Sequence, residues 1–579
     1  MSSTPEGGFL QHVGPAPKHS AMRWFGHPGG LATLFFTEMW ERFSYYGMRA
    51  LLTLFMTAPV VMGGLGWPAV KAGPVYGLYT ALVYITALPG GWIADRIIGL
   101  RVAVLVGAII IMGGHISLMF HGLVPFYLGL FLIIIGTGFL KPNISAMVGT
   151  LYEEGDARRD AGFSVFYMGI NFGAFASPLV CGFLAQSPGF SRVLENAGLD
   201  PLHSWHWGFG AAAVGMGLGI VQYVLGTTRL GRIFQYLALA LLLSFLGYMT
   251  YMTVTYNGPP AEALVGGTQA LGGGFNAGMI LFGAKLLSIL ILVGCGALLL
   301  KNRKVVYGIL GFALAAALWL SNVGNAEGLV SATGILVDIV GMTLLVFPMV
   351  YFTRVFLDPG YSEIEAKRLY AIPVFFFAAA IFWSAFEQAG STLTLFADRF
   401  THNTIFGLAF PSSWWQSVNA LLIVLLAPVF AWLWVRLAKR GKEPSSPMKF
   451  SIGLFLLGLG FAVLAWGAAL TGDPADPVRV SAIWLFTTYL LHTLGELCLS
   501  PVGLSTMTKL APKKLAGQMM GVWFLAAAMG NFIGGMVAGL FESFPLPLLF
   551  GAVFGTTLIA TIVMILLVKP VRVLMKGVH

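Results

Sequence analysis

Charge is what this sequence has least of. Only 10% of its 579 residues are Asp, Glu, Lys or Arg, while 57% are hydrophobic; an ordinary soluble domain is about 25% charged. That imbalance excludes a soluble globular chain, and a mean hydropathy of +0.83 makes this an integral membrane protein. Cysteine is nearly as scarce. Cys181, Cys295 and Cys498 lie in separate apolar runs with neither paired nor metal-type spacing, so no disulfide framework and no metal site is expected. The first 20 residues hold no apolar core followed by a small-residue cleavage site, so no cleaved signal peptide is expected. Also missing are G-x-x-x-x-G-K-[ST], G-x-S-x-G and H-E-x-x-H, which removes the phosphate loop of an ATP-driven pump and the nucleophile or zinc site of an intramembrane hydrolase. The chain is not expected to be an enzyme.

What the chain has instead is apolar runs of about 20 residues, the length that crosses a hydrocarbon core of roughly 30 Å. Six precede residue 228, over 31–57, 73–95, 102–121, 124–150, 161–187 and 206–227. Six more follow residue 370, over 372–397, 413–436, 450–470, 479–507, 517–541 and 546–568. Two sets of six predict an all-α polytopic protein with an internally repeated transporter body. Four further runs, 233–254, 279–300, 305–321 and 333–353, give 16 membrane helices if all of them span and 14 if two do not. The expected organisation is a tail at 1–30, a six-helix bundle at 31–228, inserted helices at 229–370, a second six-helix bundle at 371–570 and a tail at 571–579.

Basic residues in short loops set the orientation. Arg96/Arg101, Arg158/Arg159, Arg229/Arg232, Lys301/Arg303/Lys304, Arg354/Lys367/Arg368, Arg436/Lys439/Arg440/Lys442, Lys509/Lys513/Lys514 and Lys569/Arg572/Lys576 all fall on one side when 16 helices are counted. Both termini are therefore expected in the cytoplasm. The net charge of +10 is mostly this bias, and no nucleic-acid partner is implied.

One run breaks the pattern. In TEMWERFSYYGMRALLTLFM (37–56), Glu38, Glu41, Arg42, Tyr45, Tyr46 and Arg49 share a helical stripe roughly 140° wide at about 100° per residue. A charge at the bilayer centre costs on the order of 3 kcal/mol on insertion scales, so the stripe is expected to face partners or a water-filled cavity. Intrahelical pairing of Glu38 with Arg42 alone would leave Arg49 and the two tyrosines unexplained.

Partners are available in other apolar runs: Lys141 in KPNIS, Glu387 in WSAFEQAGS and Glu496 in HTLGELCLSPVGLS. Four carboxylates then face three cations, and one carboxylate lacks a countercharge. Uptake of one proton would neutralise the set, so the cluster reads as a proton site.

At these residues the chain resembles a known family. GGWIADRIIGLR (90–101) fits the G-x-x-x-D-R-x-x-G-x-R loop of major facilitator transporters, through Gly91, Asp95, Arg96, Gly99 and Arg101. The E-x-x-E-R-F-x-Y-Y-G-M run (38–48), KPNIS (141–145), FSVFYMGINFGAFASPLVCG (163–182) and GELCLSPVGLS (495–505) are similar to the proton-dependent oligopeptide transporter family. The resemblance covers roughly 30–228 and 370–570 and stops at the insert.

The resemblance implies a major facilitator fold, two six-helix bundles rocking about a midplane site, and proton-driven import of di- and tripeptides, with protons as coupling ion and no cofactor. It implies that Glu38, Glu41 and Arg42 form the coupling motif together with Lys141, and that Arg49 and Glu387 form a titrating pair between the halves. Arg42 and Lys141 would face the peptide carboxylate and Glu496 its ammonium. Asn171 and Asn419 would hold the peptide backbone, and Tyr45, Tyr46, Tyr84, Trp383 and Trp523 would wall the pocket; Arg49 and Ser500 complete the expected substrate contacts. The expected setting is the inner or plasma membrane, with the protein working as a monomer in the bilayer.

Other readings compete with this one. Family members also carry nitrate and other small solutes, and a channel or sensor would likewise bury charges, but Glu496 argues for a zwitterion because it would repel the far end of an anion. No histidine occurs between Arg49 and Arg101, so the helix-2 histidine used by mammalian relatives is absent. His492, four residues before Glu496 on the same helical face, is expected to be a satisfied polar contact more than a tuning group. Pro142, Pro178, Pro428 and Pro501 lie inside apolar runs and permit bends. Lys285 and Asp338 in the insert are expected to snorkel or to pair locally.

Overall fold

The computed structural model describes residues 23–153, 156, 158–255, 332–405, 407–472, 477–512 and 515–576. Thirteen helices among the described residues are long and apolar enough to cross a membrane. Helix α1, Gly30–Thr57, falls outside that set because of its own charged stripe, yet its 28 residues rise about 42 Å at 1.5 Å each, making it a fourteenth span.

The first bundle runs through α1, then α2 (Ala69–Ile85) and α3 (Ala87–Ile93), which with a five-residue π turn at Ala94–Ile98 form one interrupted span. It continues with α4 (Leu100–Leu118), α5 (Leu123–Thr150), α6 (Arg159–Gln186), the short α7 (Pro188–Asn196) and α8 (Ser204–Leu225). The inserted segment contributes α9 (Arg229–Thr255) and α10 (Ala332–Leu357). The runs at 279–300 and 305–321, with Lys285, lie outside the described residues, so the choice between 14 and 16 helices rests with them.

The second bundle holds α11 (Glu363–Phe386), α12 (Thr392–Phe400), α13 (Gln416–Lys439), α14 (Ser446–Ala469), α15 (Ala482–Leu510), α16 (Ala516–Ala538) and α17 (Leu546–Met575). The single run expected at 372–397 is in fact two helices, because the chain tightens into a 3₁₀ turn at Glu387–Gly390. Pro142, Pro178, Pro428 and Pro501 all sit inside continuous helices, as expected.

Alternating helix directions bring the described basic loops to one face, called here the basic face. A two-residue hairpin turn, Phe25–Gly26 between Arg23–Trp24 and His27–Pro28, docks there at the entry to α1, with the Tyr152 hydroxyl 3.0 Å from His27 Nδ1 and Arg158 Nη1 donating to the Gly26 carbonyl at 3.1 Å. Arg158 also grips Asp156 through its side chain and backbone N–H, which holds that carboxyl down to about 2.

Within the first bundle α1 packs on α6 and α8, and α4 on α5 and α8; within the second, α14 packs on α15 and α17, and α11 on α16. The bundles meet along α2 with α16 and along α6 with α13. Lipid gives helices no hydrophobic reason to associate, so close backbone approach and hydrogen bonds must hold them together. Both are present. A Cβ on Gly535 would lie 2.3 Å from Gly77 Cα, and one on Gly73 would lie 2.4 Å from Gly539 N. At the face opposite the basic loops, Ser417 donates to the Phe175 carbonyl at 2.7 Å and Trp414 Nε1 to Leu179 O at 3.0 Å. Beside them the Gln186 amide bonds Ser412 Oγ and the Ser413 N–H. Toward the basic face α5 and α15 are not among the closely packed helix pairs, though α3 still meets the start of α16, where a Cβ on Gly521 would lie 2.6 Å from the Leu88 side chain. The two halves are therefore joined most extensively at the face opposite the basic loops.

The glycine seam is open to test. Gly535→Ala places a methyl against backbone that cannot yield, and overpacking costs about 1–3 kcal/mol. A lower thermal unfolding midpoint in detergent is expected, whereas Gly247→Ala on α9, with nothing within 4 Å of its Cβ position, should leave the midpoint unchanged or slightly raised.

Candidate functional site

Gly173 of the INFG motif orients the α1 stripe. A Cβ there would come 2.2 Å from the Met39 carbonyl, so α6 lies directly on α1 beside Glu41 and Arg42. The stripe consequently points into the protein: Glu38, Glu41, Arg42, Tyr45 and Arg49 are all buried and Tyr46 is half-buried.

Arg42 takes both acids of the motif. Its Nε lies 3.1 Å from Glu38 Oε1 and also bonds Glu41, and its guanidinium sits 5.3 Å from the centroid of the Tyr45 ring. One oxygen of each acid, Glu38 Oε2 and Glu41 Oε1, and the Arg42 Nη2 group are buried without a hydrogen-bond partner. Unpaired polar atoms in a low-dielectric interior are costly, so this cluster is primed to accept a proton or a ligand group.

Two turns on, Arg49 forms an ion pair with Glu387 across the boundary between the halves. Its Nε donates to the Tyr76 hydroxyl at 2.7 Å, and it lies over the rings of Tyr46 and Tyr76 at 5.7 and 5.9 Å. The break after α11 serves this contact. A Cβ on Gly390 would lie 2.0 Å from the Tyr76 hydroxyl, and the Gly390 carbonyl, freed by the tight turn, accepts from Thr53 Oγ1 of α1 at 2.7 Å.

Lys141 departs from expectation. Among the described residues it makes no ion pair with Glu38, Glu41 or Glu496; its Nζ stands 3.8 Å from the Tyr84 ring centroid and 5.8 Å from that of Phe524. A cation over aromatic faces keeps part of its stabilisation without a carboxylate. Glu496 is similarly free of a cation among the described residues, and Asn419 Nδ2 donates to it and to Thr493 Oγ1, both at 3.0 Å. Lys141 and Glu496, on opposite halves, are thus unpaired with each other while Arg49 and Glu387 are paired.

The remaining expected residues fall into two sets. Asn171 donates back to the Tyr167 carbonyl of its own helix at 2.9 Å, and Ser500 is half-buried one turn beyond Glu496. Trp383 is half-buried, with an indole N–H that is buried and unpartnered. Trp523, by contrast, belongs to the core of the second half, edge-on to Phe450 at 6.5 Å and under Gly503. His492 packs on Phe461 at 4.9 Å, and its Nε2 is buried without a hydrogen-bond partner, so it is a packing residue more than the satisfied polar contact expected of it. In the facilitator loop Asp95 and Arg96 are exposed, a Cβ on Gly91 would lie 3.7 Å from Pro142, and Gly99 turns into α4 with φ +80°, a conformation that favours glycine. Arg101 follows in the first turn of α4, its carbonyl accepting from Tyr223 at 3.1 Å.

Sequence reasoning did not single out Tyr76, Tyr79, Phe524 or Thr53. The signal for two of them was present, since Tyr76 and Tyr79 share a face of α2 at i, i+3 spacing. For Phe524 nothing in the sequence points across to Lys141.

Two six-helix halves joined most extensively at one face, with a buried charge cluster shared between them, define a membrane transporter of the major facilitator fold. Residues 101–233 and 360–553 match the profile described as PTR2, POT family. The chain is 38% identical over 562 residues to the peptide transporter YePEPT of Yersinia enterocolitica, covering 96% of both, and 33% identical over 569 residues to the di-/tripeptide transporter of Lactococcus lactis, covering 96% of this chain and 98% of that one. Among solved structures, a mutant of the peptide transporter POT in complex with alafosfalin aligns with a TM-score of 0.71 at 35% identity, over 98% of this chain and 99% of that one. A POT family transporter in complex with 5-aminolevulinic acid aligns at 0.70 and 30%, over 97% and 100%. The chain belongs to the POT family of transporters.

The buried pair generates a prediction. Glu387→Gln strips Arg49 of its countercharge, and breaking a buried pair from one side costs about 3–5 kcal/mol. The double variant Arg49→Met/Glu387→Gln removes both charges and should be markedly less destabilised, as read by a double-mutant cycle of unfolding in detergent.

Proposed function

We propose that this protein is a proton-coupled symporter that imports di- and tripeptides by alternating access. The observation that carries the reading is the separation of charge across the two halves. Arg42 and Lys141 belong to the first bundle and Glu496 to the second, and between them Arg49 lies over the Tyr46 ring at 5.7 Å and pairs with Glu387. A short peptide has a carboxylate and an ammonium a backbone length apart, so cations on one half and a carboxylate on the other recognise its ends whatever its side chains. Aromatic faces and the amides of Asn171 and Asn419 suit any peptide backbone.

In this reading 31–228 and 371–570 are the rocking halves and 229–370 an accessory segment. The basic face lies in the cytoplasm with both termini, in the inner or plasma membrane. The face where the halves are most extensively joined is then the external one. Ionised Glu38 and Glu41 hold Arg42 in internal pairs. A proton on either acid releases Arg42 toward the peptide carboxylate, so proton and peptide favour the same state, which is the linkage that symport requires. Lys141, already free of the acids, is available to the same carboxylate. Loss of the proton restores the Arg42 pairs and expels the peptide. Each charge moved through 100 mV contributes about 2.3 kcal/mol and each pH unit about 1.4 kcal/mol, so one proton sustains roughly 50-fold to several-hundred-fold accumulation.

The experiment is uptake of labelled dialanine against its gradient in liposomes, with an inward-acid pH difference and with pH difference and potential collapsed. Wild type is expected to concentrate the peptide only under the gradient; Glu41→Gln should lose concentrative uptake and keep counterflow exchange. Absence of peptide uptake or competition under any gradient would overturn the substrate assignment in favour of nitrate or another small solute.

A further inference from the structure

The seal between the halves includes one acid that neither the charge cluster nor the family motifs involve. Glu542 lies in the loop 539–545 that follows α16, in the second half. Helix α2 of the first half begins at Ala69 behind Pro68, which supplies no side-chain cap. Helix N-termini leave backbone N–H groups without intrahelical partners, and here the missing acceptor comes from the other half: Ala69 N–H donates to Glu542 Oε2 at 2.8 Å. The other carboxylate oxygen accepts from Arg399 Nη1 at 2.7 Å. Arg399 is in the last turn of α12, in the same half as Glu542, with its guanidinium 5.9 Å from the Phe541 ring centroid. The carboxylate also sits at the positive end of the α2 dipole, where an anion is favoured.

We infer that Glu542 is the latch of the external gate, a positioning residue that holds the halves closed by capping α2 of one from the loop of the other. Its two bonds have different fates. The bond to Arg399 is internal to the second half and persists through the cycle, keeping the carboxylate aimed. The bond to Ala69 crosses the boundary and must break when the external face opens. It adjoins the contact between Gly73 and Gly539, where the backbones touch, so α2 cannot part from α16 without surrendering its cap. Lys71, also in the first turn of α2, does not compete for the acid, since its Nζ lies over the Trp67 ring at 3.9 Å. This inference rests on the alternating-access reading and not on the identity of the substrate.

The test reads gate opening without any substrate. In nanodiscs, Thr53→Cys places a thiol at a position that is 1% exposed inside the sealed boundary, where a bulky maleimide reaches it only when that boundary opens. The labelling rate follows the open population even when openings are rare. Native Cys181, fully buried within the first half, is the internal reference, and mass spectrometry resolves the sites. Removing a hydrogen bond to a charged group is expected to accelerate labelling of the introduced thiol about tenfold when Glu542→Ala is added, with Cys181 unaffected. Glu542→Gln keeps an acceptor and loses the charge, and should show a smaller acceleration; it carries the test alone if the alanine variant does not fold. Unchanged labelling at position 53, or equal acceleration at Cys181, would overturn the inference. A failure of peptide uptake would leave this readout intact, so the two proposals fail separately.

Discussion

The packing between the two halves depends on charges buried away from the surface. Arg49 and Glu387 are each buried on a different half, and each is tolerable in the membrane only while the other is beside it. That constraint ties α1 to the broken helix α11–α12. It brings Tyr76 against Arg49 and places Gly390 where no side chain would fit. A pair that stabilises the closed boundary is by the same token a cost on opening it, and the cluster around Glu38, Glu41 and Arg42 sits two turns along the same helix, where gain or loss of one proton alters what is paired.

The architecture was legible because the bilayer simplifies the code: a run of about 20 apolar residues has few alternatives to a spanning helix. Boundaries of the twelve body helices were mostly close to those expected, and the α1 stripe was fixed by the helical period alone. The interruption at Glu387–Gly390 was not legible, since Gly390 is only one of many glycines in apolar runs and its meaning comes from Tyr76, which lies over 300 residues away in the chain.

Within the site, residue types were easier to read than pairings. The four carboxylates and three cations could be counted, but not who holds whom. Counting offered Lys141 to the acids of α1 or to Glu496; the structure sets it on Tyr84 and Phe524 and leaves Glu496 to Asn419. Pairing depends on which face of the molecule is closed, and that is a property of a state, which one sequence shared by several states does not carry. Trp523 differs for a related reason: an aromatic residue in a small-residue helix looks the same whether it lines a cavity or fills a core.

Three of the hydrogen bonds that cross the boundary have a common form. Ser417, Trp414 and Thr53 each reach across to a main-chain carbonyl, of Phe175, Leu179 and Gly390 respectively. A main-chain acceptor is supplied by every amino acid, so the receiving side of these contacts is indifferent to which side chain it bears. Phe175 and Leu179 can thereby be replaced to suit new cargo or a new lipid without removing the acceptor, whereas each donor depends on its own side chain. A gate built in this way separates the chemistry of selection from the chemistry of shutting.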